Sequence, residues 1–197
     1  MGDLNAGLDP AAMARTYQAG GASCLSVLTD TDHFGGSVAD LQAARAACDL
    51  PVIRKDFTVD PRDVCDARIM GADCVLLIAA ALSPVELGSF LATAHDIGID
   101  ALVEIHDEPE LIIALRAGAT MIGVNQRDLV TFAVDHDRAV RMGPLIPEGL
   151  LRVAESGVRG RADAESLRRA GYHAVLVGEH LVTAADPAAA VTELLVD

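Results

Sequence analysis

Seven short runs rich in aliphatic and β-branched residues recur along the chain, at 24–28, 51–54, 74–79, 101–105, 121–124, 151–154 and 174–177. Between them lie Ala-rich amphipathic stretches of helical length, at 37–47, 60–70, 83–97, 107–117 and 161–170, and one more, 10–20, precedes the first run. This punctuation constrains the fold more than any other feature. Ser37, Asp60-Pro61 and Ser83-Pro84 are helix starts, since a short polar side chain can cap the first free N–H groups and proline fits the first turn. Gly20, Gly71, Gly98, Gly118 and Gly171 follow the helical stretches, where a left-handed C-terminal cap is expected. Strict alternation of strand and helix predicts parallel strands joined by right-handed crossovers. No linker-like or low-complexity tract interrupts the pattern, so residues 1–197 are expected to form one domain.

The apolar fraction is 51%, yet aromatics make up only 3%, so the core must be packed from Ala, Val, Leu and Ile. That suits parallel strands covered by helices. Two architectures compete, an open doubly wound sheet and a (β/α)8 barrel. The glycine-rich GxGxxG turn of a dinucleotide-binding sheet does not follow the first strand. A strand spacing of roughly 20 to 30 residues fits the (β/α)8 barrel of about 250 residues. The count is one strand short. The fold class expected is α/β, a (β/α)8 TIM barrel truncated at its N-terminus, with strands 2–8 present and strand 1 absent.

Fifteen Lys and Arg against 29 Asp and Glu give a net charge of −14. Such a surface repels nucleic acid and anionic membranes, so an anionic ligand must be held by local cations. The first ten residues lack the apolar core and basic flank of a signal segment, and no run approaches the length of a membrane span. Cys24, Cys48, Cys65 and Cys74 show no metal-ligand spacing. Cys24 and Cys74 fall in strand-like runs, where a buried reduced thiol is expected, and a reducing, cytoplasmic setting follows. The six histidines form no ligand pattern with cysteines or carboxylates, so no metal is predicted.

The second strand, in PVIRKDF (51–57), runs from apolar residues straight into Arg54, Lys55 and Asp56 without a turn residue. Charged side chains are costly to bury without partners, so this strand either meets solvent or opens into a polar pocket. Other strands end alike, in Thr29-Asp30, Glu104-Ile105-His106, Asn125-Gln126-Arg127, Glu155-Ser156 and Gly178-Glu179. In a barrel these ends converge on the face that carries the active site. Gly157 and Gly178 are candidates for a phosphate loop, because glycine lets backbone N–H groups approach an anion. Each glycine alone would serve equally well as a tight turn. His33 and His106 fall near the same mouth. No GxSxG elbow is present, which argues against an esterase.

SVLTD (26–30), HFGGS (33–37), PVIRKDF, CVLLIAAAL (74–82), LVEIH (102–106), IGVNQRDL (122–129), AESGV (154–158) and AVLVGEHL (174–181) occur in one order. With them the chain closely resembles the indole-3-glycerol phosphate synthase family over essentially its whole length. The resemblance implies a carboxy-lyase of tryptophan biosynthesis that closes the pyrrole ring of 1-(2-carboxyphenylamino)-1-deoxyribulose 5-phosphate, with loss of CO2 and water and without a cofactor. It implies Lys55 as general acid, Glu104 as the carboxylate in the proton transfers, and Asn125, Glu155 and Ser156 as polar residues around the substrate. Phe34, Phe57, Leu76 and Leu129 are implied as apolar walls, with Arg127 in the NxRDL motif and Gly157, Gly178 and Glu179 at the phosphate.

Two departures from the family pattern accompany the resemblance. His33 stands where an aromatic residue is usual. The family's first strand, ending in a glutamate, with a second catalytic lysine and a Ser-Pro-Ser segment, would lie just ahead of Met1 to Leu4. The expectation is therefore a synthase impaired, or dependent on another segment, and prone to associate through exposed strand edges. Two alternatives remain open: a catalytically impaired barrel remnant that binds a phosphorylated ligand or a partner chain, and an isomerase of an anionic sugar phosphate. Lys55 with Glu104 favours an enzyme, and RKDF with NxRDL favours the synthase.

Overall fold

The computed structural model of the chain describes residues 7–196, the His33 side chain excepted. The junction expected at Met1 to Leu4 and the departure at His33 lie outside that description. Helix α1 (Pro10–Ala19) leads into β1 (Leu25–Leu28), a single turn α2 (Thr31–Phe34) and α3 (Val38–Ala47). Then follow β2 (Val52–Lys55), α4 (Pro61–Met70), β3 (Cys74–Ile78), α5 (Pro84–Ile97), β4 (Asp100–Ile105), α6 (Glu108–Ala117) and β5 (Met121–Asn125). The short α7 (Arg138–Met142) precedes β6 (Leu151–Glu155), α8 (Arg161–Arg169), β7 (Ala174–Leu176), α9 (Glu179–Val182) and α10 (Pro187–Leu194).

The helix starts are built as the polar residues ahead of them dictate. Ser37 accepts from the Asp40 N–H, and Asp60 with Asp63 and Ser83 with Glu86 form reciprocal capping boxes. Gly71, Gly98 and Gly118 take the expected left-handed caps. Gly20 does not. It stays right-handed at φ −74, and Gly21 takes the positive φ of 94 instead. Gly20 is small for another reason, since a Cβ there would stand 2.6 Å from the carbonyl oxygen of Ala188 at the start of α10. Helices α1 and α10 meet at this point, and the Thr192 hydroxyl donates to the Gly20 carbonyl at 3.0 Å.

All seven strands among the described residues are parallel and each pairs with its sequence neighbour, in the order β1-β2-β3-β4-β5-β6-β7. An open doubly wound sheet reverses its order at a switch point, and this sheet does not. The result is a nearly closed (β/α) barrel. Among the described residues β1 and β7 each have a neighbour on one side only, while the contact of α1 with α10 brings the two ends of the helical layer together.

Alternation along the strands separates two apolar layers. Val52, Val75, Leu77, Val103 and Ile122 face the helices and belong to the main core. Ile53, Leu76, Ile78 and Leu102 face inward as a smaller cluster, with Cys74, Met121 and Leu176 against it. The interior is well covered from β2 to β6 and open at β1, where Ser26 and Leu28 are exposed. Cys24, expected to be buried, is likewise exposed, because it precedes the edge strand and no described strand covers it on that side. Cys74 is partly buried on the inner face, and desolvation raises its thiol to about 12.

Candidate active site

The inner layer changes character at the C-terminal ends of the strands. Above Leu76 and Leu102, which are almost fully buried, the next inward positions are Lys55 on β2, Glu104 on β4, Asn125 on β5 and Glu155 on β6. The Lys55 ammonium lies 3.5 Å from Glu104 Oε2, and the Asn125 side-chain amide donates to Glu104 Oε1 at 3.0 Å. Glu104 is 0% and Glu155 1% exposed, so neither carboxyl has water to replace a missing partner.

Glu155 approaches Glu104 by crossing the intervening strand. Gly123 on β5 sits beside Glu104 in the register and beside Val153 on the other side. A Cβ on Gly123 would overlap Glu155 Oε1, so the absence of a side chain is what admits the carboxyl. Burial first, and the neighbouring Glu104 second, hold the Glu155 carboxyl well above the ordinary carboxylate range, with Lys55 opposing them. Both causes favour the neutral form of Glu155 beside Glu104.

The remaining predicted residues surround this centre at different depths. Phe34 and Phe57 stack at a centroid distance of 6.2 Å and are about half exposed, as an apolar wall at the rim would be. Leu129 is partly exposed in the loop after β5, while Leu76 lies in the buried layer beneath the carboxyls. Arg127 bridges the mouth: its guanidinium pairs with Glu179 at 3.1 Å and donates to the Phe132 carbonyl at 3.2 Å. Ser156 and Gly157 both have left-handed backbones, φ 64 and 70. A Cβ on Gly157 would stand 2.6 Å from Val134 Cγ1, whereas one on Gly178 meets nothing within 4 Å. Ser156 is a non-glycine residue in a strained region, a state that costs on the order of 1–3 kcal/mol and gathers at functional sites.

Not every strand end joins the centre. Arg54 points away from the interior and pairs with Asp56 at 2.8 Å, and Thr29 donates to the same carboxylate at 2.6 Å. These residues tie β1 to β2. Sequence reasoning missed Gly123, although a glycine between Ile122 and Val124 inside a strand signals close approach by another group. It also missed Gln126, which is buried and donates to the Ser156 carbonyl at 2.7 Å, tying the end of β5 to the strained turn after β6.

A cation beside a buried carboxyl pair at the mouth of a parallel barrel defines a class, a barrel enzyme with an acid–base site. The indole-3-glycerol phosphate synthase family model matches residues 1–194. The chain is 51% identical to the indole-3-glycerol phosphate synthase of Parafrankia sp. (strain EAN1pec), over 95% of this chain and 70% of that one. It is 50% identical to indole-3-glycerol phosphate synthase 2 of Streptomyces coelicolor, over 98% and 75%. Among solved structures, 3-hexulose-6-phosphate synthase matches with a TM-score of 0.76 at 19% identity, over 94% and 91%, and thus shares the fold. The chain belongs to the indole-3-glycerol phosphate synthase family, carboxy-lyases of tryptophan biosynthesis that act on a small phosphorylated substrate. Among the described residues no helix is long and apolar enough to cross a membrane.

The raised Glu155 carboxyl makes stability depend on pH with a definite sign. The folded chain holds this proton above 4.5, the ordinary value, where the unfolded chain has released it. The contribution is complete below 4.5 and is lost as pH rises toward the raised value, by up to about 1.4 kcal/mol per pH unit. Glu155→Gln, which keeps the shape and cannot ionise, is expected to gain stability relative to the parent chain as pH rises from 5 to 8. Urea denaturation at several pH values measures this difference, and a difference that stayed flat would show that Glu155 is ionised in the fold.

Proposed function

We propose that the chain closes the pyrrole ring of 1-(2-carboxyphenylamino)-1-deoxyribulose 5-phosphate with Lys55 as general acid and Glu104 as base. The observation that carries this reading is the Lys55–Glu104 separation of 3.5 Å, with the Glu104 side chain fully buried and Lys55 one quarter exposed. Lys55 can reach substrate in the mouth while its partner stays dry. A lysine there can protonate the ketone oxygen as the ring carbon attacks, and CO2 then leaves the carbon that carried it. Glu104 takes the proton lost when water departs and the ring becomes aromatic. Asn125 holds Glu104 in place, and protonated Glu155 supplies a hydrogen bond rather than a second negative charge.

In this reading the Phe34–Phe57 stack and Leu129 flank the aromatic ring, Leu76 forms the floor beneath the carboxyls, and Arg127 and Ser156 face the ring's polar groups. The phosphate lies against the backbone N–H groups near Gly157, Gly178 and Glu179. The open space at Gly178 supports this, because a glycine that packs against nothing leaves its backbone available. The described residues serve as one domain, and the four free cysteines favour a reducing, cytoplasmic setting. A second reading, a barrel that binds a phosphorylated ligand or another chain without turnover, draws on the exposed inner face of β1. Unpaired strand edges template intermolecular pairing, so we also propose self-association through β1 and β7.

Lys55→Met keeps the apolar stem, and turnover is expected to fall by about 10²-fold or more with the fold retained. Steady-state kinetics with circular dichroism tests it, and retention of most of the turnover would remove Lys55 from the acid role. Gly178→Val is expected to weaken substrate and inorganic phosphate binding by roughly tenfold, the loss of one charge-assisted hydrogen bond, without lowering the melting temperature. Unchanged phosphate affinity by calorimetry would place the anion elsewhere. Sedimentation velocity over a range of concentrations should show dimers or larger species, and a monomer throughout would argue against pairing through the edges.

A further inference from the structure

The buried base has a polar neighbour that the reading above does not use. His106 follows Glu104 by two residues, and its Nε2 lies 3.5 Å from Glu104 Oε1. That nitrogen is buried and, among the described residues, has no hydrogen-bond partner. On the other side of the ring, Nδ1 lies 3.1 Å from Glu110 Oε2, and the same oxygen accepts from the His106 backbone N–H at 2.7 Å. Glu110 is in the first turn of α6, where its own N–H donates to the helix cap Asp107. The imidazole is 13% exposed and the Glu110 side chain 18%, against 0% for Glu104. Carboxylate, imidazole and carboxylate thus form a line from the dry centre toward water.

Donor and acceptor counting limits what this line can be. A carboxylate only accepts, and a neutral imidazole has one N–H. With an ionised carboxylate at each end, one ring nitrogen would face an oxygen with no proton between them. If Nδ1–H donates to Glu110, the Nε2 lone pair faces Glu104 and is ready to receive its proton. The 3.5 Å gap is long for a hydrogen bond, and proton transfer needs it to shorten.

The reaction gives such a connection a use. When the ionised substrate loses CO2 and water, two protons end on the departing oxygen and one is taken from carbon. Lys55, a quarter exposed, delivers both to that oxygen and recharges from solvent, while the proton taken from carbon has to leave fully buried Glu104, a net uptake of one proton per turnover. Lys55 and Glu155 also face Glu104. Lys55 is committed to the substrate oxygen, and Glu155 is itself buried.

We propose that His106 and Glu110 form a proton relay between Glu104 and solvent, with the proton passing between Glu104 and Nε2 and between Nδ1 and Glu110. It rests on Glu104 acting as the base. When Glu104 gives up the proton taken from carbon, Nε2 gains it, Nδ1 releases its own to the Glu110 carboxylate, and water receives that one. Tautomer exchange through water then restores the N–H to Nδ1. A solely structural Glu110, bracing the start of α6 through the His106 N–H, is the competing account.

The test uses the full chain and 1-(2-carboxyphenylamino)-1-deoxyribulose 5-phosphate. His106→Asn and Glu110→Gln are expected to lower kcat by on the order of 10- to 100-fold, within the range of proton-transfer effects, with KM little changed. The lost rate should return in proportion to added imidazole buffer. A structural role gives a loss that buffer does not repair, and that outcome, or an unchanged kcat, overturns the relay. Glu104→Gln separates the two readings, because its full activity would remove the base itself, whereas its loss beside an unaffected His106→Asn would remove only the relay. Nitrogen-15 NMR of the His106 ring in the parent chain decides the matter without turnover. The relay expects a proton on Nδ1, and a ring whose single proton sits on Nε2 would overturn it.

Discussion

Two carboxyl groups in a space closed to water cannot both be ionised, and much of the barrel's upper interior is arranged around that constraint. Glu104 and Glu155 come from strands separated by β5, and they meet because Gly123 leaves the path between them empty. Lys55 then serves Glu104 as a counterion, and Asn125 donates to its other oxygen. Below, the inward leucines and isoleucines exclude water and make the repulsion between the carboxyls strong. Remove the glycine and the pair would separate. Remove the lysine and the buried charge on Glu104 would lose its counterion.

The surrounding loops carry a second, more exposed set of interactions. Arg127 and Glu179 span the mouth, Gln126 holds the turn at Ser156, and Arg138 donates to the Asn125 carbonyl at 2.8 Å. The loop backbone around the centre is therefore tied by hydrogen bonds, and the mouth is polar where a charged ligand must enter. Glu179 is paired with Arg127, so an anion arriving near Gly178 meets an ion pair, not a bare cation. Against a net charge of −14, local cations and backbone N–H groups must supply the attraction.

Strands and helices were legible because glycine, proline and capping residues mark nearly every boundary. The lysine and glutamates at strand ends were legible because charge directly after an apolar run is costly without a purpose. What escaped depended on the relation between distant segments. The role of Gly20 lies in its contact with Ala188, which sequence neighbours do not reveal. Cys24 reads as apolar and buried, yet burial depends on which strand lies beside it. Gly123 announces close approach but not that Glu155 is the visitor, since that follows from the register of β5 on β6. The partnership of His106 with Glu110 arises from a helix start folded back over a strand end.

The hydrogen bond from Thr192 to the Gly20 carbonyl joins residues 172 positions apart. Every strand pair, by contrast, joins segments roughly 20 to 30 residues apart, so sheet growth closes only short loops. Bringing the first and last helices together closes a loop several times longer, at an extra entropic cost of about 2 kcal/mol. Until the strands between them are ordered, nothing holds those helices near each other. The sheet can therefore grow by neighbouring units, whereas the α1–α10 junction forms as a late event in folding. Breathing of the native chain should begin where that longest loop is pinned, so amides of α1 and α10 would exchange with solvent sooner than those of the central strands.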